Sequence, residues 1–106
     1  MSILGGDPLA LYNLSDVNKL INEFRERFGF EKSIWMWSGY TIEAIMGHPL
    51  RWEVARKVDI LIEGPFIAEK KNSKLAYRGS SNQQIIDMQA SQTFNMLILK
   101  DEYMNN

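Results

Sequence analysis

Apolar residues along the chain fall into short groups of two different periods, divided by glycine, proline and polar turns. Val17, Leu20, Ile21, Phe24 and Phe28 recur at i, i+3, i+4, i+7 and i+11, which makes one stripe on a helix. Lys19, Asn22, Glu23, Arg25, Glu26 and Arg27 fill its other side. Ser15 is predicted to cap this helix, Asp16 suits the positive end of its dipole, and Gly29 suits the position just past its end. Ser33-Ile34-Trp35-Met36-Trp37 and Val58-Asp59-Ile60-Leu61-Ile62 are nearly continuous apolar runs, the pattern of strands covered on both faces. Ser2-Ile3-Leu4 reads as the last residues of another strand, and Gln84-Ile85-Ile86-Asp87-Met88 as a weaker fourth. Between strands, Thr41 starts a brief helix to Met46, stopped by Gly47 and Pro49. Residues 50–57 form a second short helix, with Leu50, Trp52 and Val54 inward. Met96 to Leu99 is an apolar run in the polar tail 89–106, suited either to covering a sheet edge or to packing on a partner.

The order strand, helix, strand, helices, strand, loop, strand predicts a single α/β domain over residues 1–106 with a parallel sheet. Ligands of such sheets bind beyond the carboxyl ends of the strands. The first three strands end in Gly5-Gly6-Asp7, Ser38-Gly39-Tyr40 and Glu63-Gly64-Pro65, which parallel strands place on one edge. Glycine there lets a ligand approach the backbone, and Asp7, Ser38 and Glu63 add polar groups beside it. Glycine also simply permits tight turns, so the pattern alone says no more than a polar ligand edge.

Composition narrows the chemistry. Twelve basic against thirteen acidic side chains leave a net charge of −1, which gives no support to nucleic-acid binding. No apolar run approaches the roughly 18 residues of a membrane span, and Met1 to Asp7 carry no basic leader, so a cytoplasmic location is expected. Cysteine is absent, which excludes disulfides, thiolate nucleophiles and any iron–sulfur cluster held by this chain itself. The single histidine, His48, cannot build a multi-histidine metal centre and reads as a loop residue. Trp35, Trp37 and Trp52 read as core rather than as a platform for an adenine ring. Lys70, Lys71, Lys74 and Arg78 against Glu69 read as a solvated loop, with an acidic partner surface or an anionic ligand as the alternative.

Four segments in order carry a more specific signal. They are Gly5-Gly6-Asp7-Pro8-Leu9, Ile34-Trp35-Met36-Trp37-Ser38-Gly39-Tyr40-Thr41, Val58 to Phe66 with its Glu63-Gly64-Pro65-Phe66, and Arg78-Gly79-Ser80-Ser81-Asn82-Gln83 running on to Asp87. Together these resemble the C-terminal part of the anaerobic ribonucleoside-triphosphate reductase activating proteins, members of the radical S-adenosylmethionine superfamily. The resemblance covers residues 2 to about 88. It implies an N-terminally truncated, partial parallel β/α barrel of the radical S-adenosylmethionine type. In the family a [4Fe–4S] cluster sits on three cysteines after the first strand, and S-adenosylmethionine occupies its open iron. Cleavage of that cofactor makes a glycyl radical on the large subunit of the reductase, which the resemblance names as partner.

By the same resemblance Gly5, Gly6 and Asp7 match the motif that receives the amino group of S-adenosylmethionine, Ser38 lies at the strand end facing the cofactor, and Glu63 and Arg78 to Asn82 are candidates for the rim. The departures are Leu4 for a small polar residue, Glu63 for aspartate, and Gln84 where arginine is common. The cluster segment would precede Met1, so the chain alone is expected to be inactive, with no catalytic or metal-ligating residue of its own. Either a cluster-bearing N-terminal segment comes from another chain, or this one is a non-catalytic module that docks on the reductase or on a complete activase. Loss of the front strands also predicts either self-association through an open sheet edge or solubility only with a complementary N-terminal segment.

Overall fold

The computed structural model describes residues 1–3, 6–71, 75 and 77–100. Four strands form one sheet in the order β1-β2-β3-β4: β1 Ser2–Ile3, β2 Trp35–Trp37, β3 Ile60–Glu63 and β4 Gln84–Asp87. The first two pairings are parallel, Ile3 beside Met36 and Met36 beside Leu61. The third is antiparallel, with Ile62 beside Ile85 and Glu63 beside Gln84. An all-parallel sheet was expected, and β4 departs from it. The reason lies in the connection from 64 to 83. Its described part holds one short 3-10 turn, Ala68–Lys70, rather than a crossover helix that would carry the chain back to the start of β3. Instead Asn82 Nδ2 donates to Pro65 O at 2.8 Å and Gln83 Nε2 to Gly64 O at 2.9 Å, so the returning chain enters β4 beside the point where β3 ended.

Three helices cover one face: α1 Leu14–Phe28, α2 Ile42–Met46 and α3 Pro49–Ala55. Ile21, Ile34, Met36, Ile45, Leu61 and Ile86 form the fully buried centre of this layer. Helix α1 begins one residue before the predicted cap, with Asn13 at the N-cap position and Ser15 inside the helix. Leu14 explains the earlier start, because it is buried and extends the apolar stripe toward the N-terminus, whereas Leu20 faces outward. Gly29 ends α1 at φ 58°, where its N–H reaches Arg25 O at 2.7 Å. In α3 Val54 turns inward and Trp52 packs at the edge of the core, but Leu50 is exposed, against expectation. The opposite sheet face carries Ile60, Ile62 and Ile85 with Trp35 and Trp37 packed over them. Tyr77 lies across that face, its ring 5.1 Å from Trp35 and its carbonyl accepting from Trp37 Nε1 at 2.7 Å.

Past β4 the chain forms a helix that was not predicted, α4 Met88–Phe94, capped by Asp87 Oδ1 accepting from Ala90 N at 2.9 Å. The tail then returns along β4. Asp87 N donates to Ile98 O at 2.9 Å, Lys100 N donates to Ile85 O at 2.8 Å, and Leu99 bridges Ile86 in antiparallel sense. Met96 to Leu99 thus meets the first of its two sequence-based readings, the covering of a sheet edge. No helix among the described residues is long and apolar enough to cross a membrane.

Candidate functional site

Parallel pairing of β1, β2 and β3 brings their carboxyl ends to one edge, and hydrogen bonds tie the turns beyond them together. Asp7 Oδ1 accepts from Leu9 N at 3.0 Å and from the Ser38 hydroxyl at 2.9 Å. Its other oxygen accepts from Gly39 N at 2.8 Å. One carboxylate therefore shapes its own turn and joins it to the turn after β2. Asn13 holds the same loop from the start of α1, its Nδ2 donating to Asp7 O at 2.9 Å. Tyr40 continues the chain of contacts: its carbonyl accepts from Gly64 N at 2.9 Å, linking the second turn to the third.

Glu63, buried at the end of β3, accepts from Ile42 N in the first turn of α2. Burial pushes its carboxyl group above the ordinary glutamate value, partly offset by the backbone hydrogen bonds from Ile42 and Gln84. The fourth motif closes the edge, with Gln83 Oε1 accepting from Gly79 N at 2.8 Å while its amide holds Gly64 O. A Cβ on Gly79 would stand 3.0 Å from the Phe66 ring, so a larger residue there would have to push that exposed ring aside.

Of the five residues singled out in the sequence, Asp7, Ser38 and Glu63 are brought to this edge as expected, and Gly6 is exposed there. Gly5 lies outside the described residues. A Cβ on Gly6 would meet only Asn13 Nδ2, at 3.7 Å, so space is open over its backbone. Asp7 and Glu63 differ from Gly6 in kind, because their oxygens already accept from the protein's own donors. Sequence reasoning placed Tyr40 in the second turn without a role, and missed Asn13 and Arg51. Arg51 lies 4.0 Å over the Tyr40 ring and donates to Leu9 O at 2.8 Å, contacts with no local sequence signature. His48 stands at the N-cap position of α3 without a side-chain cap.

A family model described as a 4Fe–4S single cluster domain matches residues 1–86. The chain belongs to that family. Over 85 residues it is 34% identical to the anaerobic ribonucleoside-triphosphate reductase-activating protein of Escherichia coli K12, covering 80% of this chain and 53% of that protein. The protein of the same name from Enterobacteria phage T4 is 35% identical over 80% of this chain and 51% of its own length. That of Pasteurella multocida is 32% identical, with 80% and 53% covered. The chain spans about half the length of the curated relatives it matches. No solved structure matches it.

The residues present do not fit the cluster of the family's description. None of the 106 residues is cysteine, and no group of three His, Asp or Glu side chains that could hold a metal occurs among the described residues. An iron–sulfur cluster needs thiolates, or imidazoles in part, at every protein-held iron.

Proposed function

We propose that this chain is the S-adenosylmethionine-side portion of an activating protein for an anaerobic ribonucleoside-triphosphate reductase, working with a cluster-bearing segment on another polypeptide. The observation that carries the reading is the joined edge, where Asp7 locks two strand-end turns together and leaves the backbone at Gly6 open. In this reading β1, β2 and β3 are one parallel segment of a partial β/α barrel whose further strands add beside β1. Bound S-adenosylmethionine would supply the radical precursor for activation of the large reductase subunit, in the cytoplasm.

The chain's own part is placement. The backbone at Gly6 receives the ligand's ammonium group, Asp7 and Ser38 act as positioning residues that join the turn at Gly6 to the turn after β2, and Glu63 positions the start of α2 at the same edge. Without an iron to hold the ligand's amino and carboxylate groups, affinity is expected to be no better than roughly millimolar.

Calorimetric titration of the chain with S-adenosylmethionine tests the site. Gly6→Val adds bulk over an open backbone whose nearest neighbour is one amide nitrogen, so the variant is expected to keep its thermal unfolding curve and lose the binding. Equal binding by parent and variant removes the site from Gly6.

A second reading, a non-catalytic module that docks on the reductase or on a complete activase, draws on the internal commitment of Asp7 and Glu63. Mixing the chain, a reconstituted cluster-bearing segment with C-x3-C-x2-C spacing, S-adenosylmethionine and the reductase separates the two. A glycyl-radical EPR signal that needs both polypeptides supports the first, and binding to the reductase without signal supports the second.

A further inference from the structure

Between α2, α3 and α4 the helix-covered face opens into a groove of about 330 Å³, within the lower range of small-molecule sites. Its deepest lining is fully or nearly buried: Ile42, Ile86 and Met88. Its rim is exposed, with Met46 and Met96 on the apolar side and Arg56 as the only charged residue of the lining. Arg56 Nε donates to Gln92 Oε1 at 3.2 Å, and Arg56 forms no ion pair among the described residues. Six of the eleven lining residues lie beyond residue 86, outside the matched family residues, and the groove meets the edge described above only at Ile42.

We propose that this groove binds a medium-chain aliphatic carboxylate, with the chain over the methionines and the carboxylate on Arg56. Thioether side chains adapt to a flexible hydrocarbon, and an apolar floor below a single cation without an ion pair among the described residues selects an anion with an apolar body. Burial of the floor behind an exposed rim favours a slender free molecule over a protein helix, which would need a longer open channel.

The test is titration of the whole chain with decanoate, decanol and decyltrimethylammonium, followed by calorimetry and by the methionine methyl NMR signals. Decanoate is expected to bind saturably, to shift the Met88 and Met96 methyls, and to bind about tenfold more tightly than decanol, the gain of one hydrogen-bonded charge. Arg56→Gln, an exposed change, is expected to remove that tenfold advantage and leave decanol binding as it was. Met96→Glu is expected to weaken decanoate through like charge at the rim. Equal binding of all three amphiphiles, an Arg56→Gln variant with undiminished preference for decanoate, or an unmoved Met88 methyl would each overturn the proposal. So would binding of an acidic amphipathic peptide at these methyls with none by decanoate.

Discussion

Glu63 sits where a carboxylate is useful to the fold and uncomfortable at the same time. It accepts from the start of α2 while burial favours its neutral form. The folded chain therefore holds the Glu63 proton more tightly than the unfolded chain, whose glutamate titrates near 4.5. By linkage, this group's contribution falls as pH rises from 4.5 through the raised folded pKa, and recovers on acidification. Glu63→Gln removes the titration and keeps an oxygen to accept from Ile42. Urea unfolding of parent and variant at several pH values is expected to show the variant gaining on the parent as pH rises over that window. Parallel curves would mean that Glu63 titrates alike in both states. At this scale the sequence was a good guide to place and gave no sign of the internal hydrogen bonds these side chains make. The glycine turns of parallel strands announce an edge, so Asp7, Ser38 and Glu63 were located there. Whether a carboxylate faces a ligand or the protein's own N–H groups depends on loops folded from residues far apart, as with Asp7 and Gly39.

Among the elements, α1 is anchored at the end of the sheet opposite the candidate site. Arg25 in its last turn pairs with Asp59 Oδ2 at 2.8 Å and donates to Lys57 O at 3.0 Å and Gly29 O at 3.1 Å. Asp59 in turn accepts from Ile34 N at 2.7 Å, so one ion pair fixes the helix to the approaches of β2 and β3. Both side chains are mostly buried, at 14% and 21% exposure. Removing one partner of a fully buried pair is strongly destabilising, and discounting for the solvent that remains, Arg25→Ala is expected to cost about 2 kcal/mol. Chemical denaturation measures it; a change below about 0.5 kcal/mol would mean surface-like behaviour. In the sequence Val58 to Ile62 reads as an apolar strand that gives Asp59 no partner, because nothing local names Arg25. Periodicity found α1 because its apolar stripe meets one core, and continuous apolar runs found β2 and β3 because both faces of these strands are covered. Periodicity missed α4, whose Gln89, Ser91, Gln92 and Thr93 form no apolar stripe; that helix rests on the Asp87 cap and on side-chain bonds such as Gln92 Nε2 to Arg56 O at 2.7 Å. The parallel arrangement expected for β4 failed for a similar cause, since the direction of a strand is set by its connection and not by its composition.

For the whole molecule, absence of cysteine gives the plainest expectation: anaerobic reconstitution with iron and sulfide leaves the isolated chain without a [4Fe–4S] absorption or EPR signal. A stoichiometric signal would mean that other side chains ligate iron. Sedimentation at several concentrations addresses association. Among the described residues β1 pairs only with β2, while β4 has its outer side occupied by Ile98 to Lys100. The sheet thus has one side able to accept a strand and one that is already satisfied. A particle open on both sides adds subunits without limit and grows into fibres, whereas a particle open on one side saturates when two copies meet. Dimers with no larger species are the expected result, and a ladder of higher oligomers would show that the tail had come away. The short return of Leu99 along Ile86 therefore sets a stoichiometry: it makes the open edge a terminus for assembly, to be filled once, by a second copy or by a complementary strand, but not by both.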